Sequence, residues 1–345
     1  MDPVQRPSDL NPGPLASPIG LAAVESMMER LARGGRRDKA GEIASESLQS
    51  GGKRLRARLA LAAGDALGVD RRRLVPWAAA CELLHLATLV HDDIQDGDRQ
   101  RRGRPTAWAN HGVGQAINAG DLMLMLPFLA VGEVAATATV RSLLFAAVAD
   151  AACRTARGQA EEMDLPNRDN VGWEDWLWAA EGKSGALLGL PVHGAAILAG
   201  WSGPIALELA YVFGRIGVLY QLQDDLLDLG LGKGKGRRAA DLEEGKVNAL
   251  VAAHLLLHPE ERAQTLEFLR SPEIRRQPEA VEAMVSRLFA GGAVAFVNRS
   301  LEGSVAGVRE GAIAAGAPGL AILADELIAT VQASARAPSA KPKEN

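Results

Sequence analysis

Apolar residues recur at three- and four-residue spacing through most of this chain, and runs that read as strands are nearly absent. AACELLHLATLV at 79–90 and LELAYVFGRIGVLYQLQDDLLDL at 207–229 show the pattern, as does the stretch 55–67. Such spacing lines one side of a helix, and the dominance of Ala and Leu over β-branched residues acts in the same direction. Breaks fall at Gly51–Gly52, Gly68–Asp70, Gly103–Pro105, Asn167–Asn170, Gly200–Gly203 and Gly230–Gly236, each carrying turn chemistry that ends a helix. They predict roughly ten or more helices, without a repeat of solenoid length. No Pro-, Gly- or Ser-rich linker divides the middle of the chain. The expectation is one all-α domain over residues 21–332, with residues 1–20 and 333–345 disordered.

Composition narrows the possible functions. At 345 residues, 48% hydrophobic and 23% charged, the chain can bury a large core. A net charge of −4, with basic residues in short groups, argues against a dedicated nucleic-acid binder. Cys81 and Cys153 are the two cysteines, each in an apolar helical pattern. They offer neither a disulfide framework nor a thiolate metal site, which suits a reducing cytoplasm. The N-terminal sequence has prolines where a signal peptide needs its apolar region, and apolar stretches such as 120–131 are too short or interrupted to span a bilayer. The expectation is a soluble protein without a membrane span.

The chemistry gathers around aspartates. LVHDDIQD places Asp92 and Asp96 four residues apart, on one helical face, with Asp93 beside them. Alone, such a motif is more often a solvated acidic helix end. YQLQDDLLDLG repeats the spacing with Asp224, Asp225 and Asp228, again on the polar edge of an apolar helix. Helix packing does not require two copies. Oxygen-only ligands without His or Cys favour Mg2+, which shares its coordination sphere with phosphate oxygens. Two facing acidic helices therefore imply a diphosphate between them. Basic residues fit that chemistry: Lys53, Arg54 and Arg56 in GGKRLR, Arg101 and Arg102, Lys183 in EGKSGALL, and Lys233, Lys235, Arg237, Arg238 and Lys246 in or after a Gly-rich loop. That loop fits neither nucleotide-binding glycine pattern.

GGKRLR, ELLHLATLVHDDIQD, RRGRPT, AGDLML, GKSGALL, YQLQDDLLD and DLEEGK stand in the order and approximate spacing of the trans-prenyltransferases, or isoprenyl diphosphate synthases. The chain resembles that family from about residue 45 to 250. The resemblance implies a bundle of mostly antiparallel helices around a deep central cavity, usually a homodimer. It also implies head-to-tail condensation of an allylic diphosphate with isopentenyl diphosphate.

By position, the resemblance assigns Asp92, Asp93, Asp96, Asp224, Asp225 and Asp228 to three Mg2+ ions on the allylic diphosphate. It implies ionisation to an allylic cation in a water-poor cavity, attack by the isopentenyl double bond, and proton loss to released diphosphate. Lys53, Arg56, His85 and Arg102 match the isopentenyl diphosphate site. Arg101, Lys183, Ser184, Gln221 and Lys246 match the allylic side, and Ser184 stands where Thr is common. Lys235 lies one position too early for the family's lysine loop, so Arg237 or Arg238 could take its place.

Product length is expected to follow the wall upstream of the first motif. Ala87 and Thr88 are small where short-chain synthases often place aromatics, and Leu84 and Cys81 come next. One helical turn, about 5.4 Å, roughly matches one isoprene unit. The expected product is C20, with farnesyl or longer polyprenyl products as alternatives. Met123, Met125, Leu126 and Phe128 could form the opposite wall. The Trp173, Trp176 and Trp178 stripe reads as core or dimer packing, and GQAEEMD at 158–164 has no assigned chemistry. A class I terpene cyclase would replace the second aspartate motif and would not need the Lys53, Arg56 and His85 set. A non-catalytic synthase subunit would tend to lose an aspartate motif.

Overall fold

A computed structural model describes residue 15 and residues 20–35, 37–230 and 239–336. The described residues are almost entirely helical. They divide into two compact units: those within 1–152, 190–210 and 315–326 form the first, and those within 153–189, 211–314 and 327–345 the second.

The first unit begins with α1 (Leu21–Arg33), α2 (Lys39–Gln49) and α3 (Leu55–Ala66), followed by the 25-residue α4 (Arg71–Gln95). A short hairpin, β1 (Gln100–Arg101) and β2 (Arg104–Pro105), leads to α5 (Ala107–His111), α6 (Val113–Gly132) and the start of α7 (Ala138–Asp164). α4 is the central element: α3 and α6 pack on it, and Trp77, Leu83, Leu84 and Ala87 lose all solvent exposure there. Trp77 also donates its indole N–H to the carbonyl of Pro191 at 3.0 Å, which satisfies the one polar atom its burial would strand. At the start of α3, the buried Glu82 carboxylate accepts the Ala57 N–H at 3.1 Å and so fills an N-terminal donor of that helix.

The second unit holds the rest of α7, α8 (Trp173–Ala180), the first part of α9 (Ala186–Leu198) and most of α10 (Gly203–Gly230). Beyond residues 231–238, which are not described, come α11 (Ala240–Glu244), α12 (Ala249–Leu257), α13 (Arg262–Arg270), α14 (Pro272–Arg275), α15 (Pro278–Ala290) and α16 (Ala293–Ala314). α17 (Pro318–Arg336) contributes to both units. The core of this unit centres on α12, whose residues 249–255 are all buried. Trp173 packs against Trp176 and edge-on against Phe296, so those two tryptophans belong to the core, while Trp178 is exposed.

By length and composition α4, α6 and residues Gly203–Leu229 could each cross a membrane, and the bent pair α15–α16 passes the same test. The apolar stretch of α4 is 72% buried, whereas that of α6 is 39% buried. The remainder of α6 presents Val113, Ile117, Met125 and Leu129 as an exposed stripe, with Leu143 of α7 also exposed. Met125 was expected in the product wall but lies on this stripe, one residue out of phase with the buried Met123 and Leu126.

Candidate active site

The first aspartate motif occupies the last turn of α4. Asp92 and Asp93 lie in the helix and Asp96 caps it, its N–H donating to the Asp92 carbonyl at 2.8 Å. Carboxylates at a helix C-terminus add their charge to the negative end of the helix dipole, so the turn calls for a cation. Arg101 supplies one. Its Nε donates to Asp93 Oδ1 at 2.6 Å, and its Nη2 lies 3.5 Å from Asp92 Oδ2. Asp93 is buried, and burial pushes its carboxyl up to about 6, against the pull of Arg101 and with the repulsion of Asp92 and Asp98.

The hairpin aims Arg101. Gln100 pairs with Pro105 and Arg101 with Arg104, leaving Arg102 and Gly103 as a two-residue connection. Both have positive φ, 54° and 75°, the geometry of a tight turn that follows strand twist. Thr106 Oγ1 and the Trp108 indole N–H both donate to the Asp98 carbonyl at 2.8 Å, which fixes the hairpin base next to α4. Arg102 then donates to the Gly51 carbonyl, and Arg104 to that of Gln49 at 3.1 Å. The guanidinium of Arg102 lies so close to Gly52 that a Cβ there would meet Nη1 at 2.5 Å. The RRGRP and GGKR segments are thus one interlocked structure.

His85 lies on α4 two turns before Asp92. Burial holds its imidazole well below the ordinary histidine range, and the charges of Arg56, Arg102, Arg101 and Arg54 add to that effect. Its Nδ1 is buried without a hydrogen-bond partner among the described residues. A neutral ring among four guanidiniums marks a region suited to an anion. Lys53 is exposed and Arg56 half-buried at its edge. Arg54 has a structural role instead: it is buried and donates to the Leu48 carbonyl and to Glu25 Oε1 at 3.2 Å. A cavity of about 260 Å³ lies beside the hairpin, lined in part by Leu86, Val90, Asp93, Arg101 and Arg102.

In the second unit, the GKSG segment forms a π-helical turn, Glu181–Gly185, between α8 and α9. Such turns re-aim side chains within a helix. Glycines hold it on two sides. A Cβ on Gly158 of α7 would lie 2.4 Å from the Lys183 nitrogen, and one on Gly217 of α10 would lie 2.5 Å from the Ser184 carbonyl. Lys183 Nζ contacts Glu162 Oε2 at 2.5 Å. Glu162 is the residue that the sequence pattern missed, although GQAEEMD contained both it and Gly158.

The second aspartate motif differs from its expected form. Asp225 and Asp228 are fully buried rather than on a polar edge, and Asp224 is half-buried. Asp225 accepts from Gln221 Nε2 at 2.9 Å and from the Ala249 N–H at 2.8 Å. Asp228 accepts the Asp241 N–H at 3.1 Å. These bonds tie α10 to α11 and to the first turn of α12. Gln221, expected near the substrate cation, spends an amide proton on Asp225. Lys246 pairs with Glu244 at 3.0 Å. Lys235 lies outside the described residues, as do Lys233, Arg237 and Arg238.

The chain-length residues separate. Thr88 keeps surface on the His85 face, but Ala87, Leu84 and Cys81 are buried to 1% exposure or less. These three lie in the buried part of α4, the helix on which α3 and α6 pack.

The polyprenyl synthetase family profile matches residues 38–288. A short chain isoprenyl diphosphate synthase of Methanocaldococcus jannaschii is 33% identical over 256 residues, 72% of this chain and 76% of that protein. A geranylgeranyl pyrophosphate synthase of Geoglobus acetivorans is 33% identical over 253 residues, again 72% and 76%. A solved geranylgeranyl pyrophosphate synthetase from that archaeon superimposes with a TM-score of 0.76 at 28% identity, covering 89% of this chain and 97% of the other. The fold also matches a polyprenyl synthase from Caulobacter crescentus CB15 complexed with calcium and isoprenyl diphosphate, with a TM-score of 0.75 at 23% identity over 90% and 94%. The chain belongs to the polyprenyl synthetase family, the trans-prenyltransferases that its motifs resemble.

Proposed function

We propose that this protein catalyses Mg2+-dependent, head-to-tail condensation of isopentenyl diphosphate with an allylic diphosphate, and that its main product is the C20 geranylgeranyl diphosphate. One observation carries the reading: Arg101 bridges Asp92 and Asp93 on the same helix that presents neutral His85 among arginines. A cation-seeking carboxylate set thus adjoins an anion-seeking basic set. The names of the relatives, a short-chain and a geranylgeranyl synthase, support the chemistry and the length.

The donor set fits Mg2+, since it is made of carboxylate oxygens and a guanidinium already rests on two of them. Asp92, Asp93 and Asp96 would hold the ion in the first unit, and Asp224 in the second. Bound Mg2+ would supply positive charge for the departing diphosphate. That both motifs act on one diphosphate, with three ions in all, is what the resemblance to the trans-prenyltransferases implies. Asp225 and Asp228 act by holding the segment that carries Asp241 and Lys246. Arg56, His85, Arg102 and Lys53 bind isopentenyl diphosphate, and Arg101, Lys183, Ser184 and Lys246 the allylic diphosphate. Gln221 orients Asp225.

We assign the protein to the cytoplasm as a homodimer without a membrane span. Support comes from the burial of α4, from the apolar α6 stripe as a dimer face, and from two thiols, of which Cys153 is exposed. The decisive assay combines purified protein, Mg2+, isopentenyl diphosphate and dimethylallyl, geranyl or farnesyl primers. Release of pyrophosphate with a C20 product is expected. Folded protein without turnover on any primer would sink the proposal.

A further inference from the structure

α12 ends in HLLLHPEE, which places His254 and His258 four residues apart and Glu260 and Glu261 just beyond. None of these residues belongs to the aspartate motifs or to the basic set. We propose that they form a second type of metal site, selective for a borderline divalent transition ion of the Zn2+ class rather than Mg2+.

The geometry is that of a preformed ligand set. Ligand atoms of His258, Glu260 and Glu261 lie within 4.8 Å of one another. His258 Nδ1 is 3.2 Å from Glu260 Oε1, and His254 Nε2 is 3.3 Å from Glu261 Oε2. A tetrahedral ion with bonds of about 2.1 Å separates its ligands by roughly 3.4 Å. Both pair spacings match that ligand–ligand distance.

One nitrogen of His258 is already held. Its Nε2 lies 2.8 Å from the Gly291 carbonyl, which can only accept, so Nε2 keeps its proton. The contacts to Gly291 and Glu260 together raise the imidazole above its ordinary range, and an ion at Nδ1 would displace the proton shared with Glu260. A carbonyl partner of this kind on the far nitrogen is the usual support for a metal-bound imidazole. Gly291 matters to this arrangement, since a Cβ there would lie 2.9 Å from His258 Nε2 and 3.1 Å from His254 Nδ1.

His254 supplies the independent observation. It is fully buried, and neither ring nitrogen has a hydrogen-bond partner among the described residues. The buried Glu261 Oε2 that it faces lacks one as well. The long 3.3 Å pairing with Glu261 leaves the buried imidazole weakly satisfied, a desolvation penalty that an ion between the two groups would reduce. Arg287 Nε, at 3.5 Å from the same oxygen, partly offsets the carboxylate charge and would turn outward on binding. Two imidazoles and two carboxylates prefer Zn2+, Co2+ or Ni2+, whereas Mg2+ selects oxygen and water. The ion would tie the end of α12 to the α15–α16 corner.

The test uses the full chain with Mg2+ in large excess to occupy the aspartates. Co2+ is titrated and read by visible absorption, where a tetrahedral nitrogen-containing site gives intense bands and an octahedral carboxylate–water site weak ones. Retained Zn2+ is counted after desalting. One equivalent per chain is expected, with the tetrahedral Co2+ spectrum. His258→Ala and Glu261→Gln should each weaken binding at least tenfold while prenyl transfer with Mg2+ is unchanged, which also reports an intact fold. Absence of a tetrahedral spectrum in the wild type, or retention in both variants equal to that of the wild type, overturns the proposal.

Discussion

Arg101 Nε and Asp93 Oδ1 lie 2.6 Å apart, so a guanidinium rests on the second carboxylate of the proposed Mg2+ set on α4. Any ion arriving there meets a carboxylate already partly neutralised. The same arginine is assigned to the allylic diphosphate, so it must serve both groups. Arg101→Ala is therefore expected to change two constants in opposite directions. The Mg2+ concentration for half-maximal rate falls, and KM for the allylic diphosphate rises about tenfold, the equivalent of one charge-assisted hydrogen bond. Steady-state kinetics over a matrix of Mg2+ and primer concentrations reads both. Parallel shifts would remove the competition argument.

The π-turn that presents Lys183 and Ser184 rests on helix contacts too close for a side chain. In Gly158→Ala the new methyl would meet the Lys183 backbone nitrogen, and in Gly217→Ala the Ser184 carbonyl. Each variant is expected to lose about 1–3 kcal/mol of stability from overpacking. Activity measured well below the melting temperature should fall as well, because the turn moves with its side chains. A variant that melts early but retains full kcat/KM would uncouple the turn from catalysis.

The all-α fold and the aspartate motifs were legible because both rest on short-range periodicity: three- and four-residue spacing sets the helices, and the same spacing gathers Asp92, Asp93 and Asp96. What the sequence hid depended on long-range partners. Asp225 and Asp228 look identical in pattern to their counterparts on α4, yet the amides of Ala249 and Asp241 bury them. Glu162 carried no assigned chemistry in the sequence, and the fold brings it to Lys183, twenty-one residues away. Ala87, Leu84 and Cys81 were judged by helical phase alone, and phase does not say which neighbour covers a face. Met125, grouped by sequence with Met123 and Leu126, is 56% exposed, which phase alone does not show.

The exposed stripe on α6 gives the homodimer proposal its test. Met125 and Leu129, four residues apart, are 56% and 57% exposed and contribute little to the core of their own unit. Leu129→Glu should leave the monomer folded, since the side chain faces outward, but would place a charge in an apolar subunit contact. The wild type is expected to sediment as a dimer and the variant as a monomer with unchanged helical circular dichroism. A monomeric wild type would end the proposal.

Product length offers a paired experiment because two neighbours on α4 differ in burial. Thr88 keeps surface beside His85, while Ala87 has none. Thr88→Phe is expected to shorten the product with little loss of stability. Ala87→Phe should destabilise the protein by about 1–3 kcal/mol, since there is no space for the ring. Chain-length analysis of the products and melting temperatures separate the two effects. An unchanged product from Thr88→Phe would mean that the growing chain passes elsewhere.

His85 should leave a mark on the pH dependence of stability. The folded protein holds its imidazole neutral well below the ordinary value near 6.5, whereas the unfolded chain protonates it there. Below that value the unfolded state binds more protons, so the contribution of His85 is present at higher pH and is lost as the pH falls. Asp93 acts in the opposite sense: its raised value lets the folded state bind a proton between the usual carboxylate range and about 6. The two overlap in the wild type, but His85→Gln removes only the first. Between about pH 6.5 and 5, the wild type should lose up to about 1.4 kcal/mol per pH unit more than the variant, the limit for one proton. Denaturant titrations across that range, without Mg2+ or diphosphate, give the difference directly. Parallel curves for the two proteins would show that His85 takes up its proton in the folded state as readily as in the unfolded one, and the arginine ring around it would lose its role in keeping it neutral.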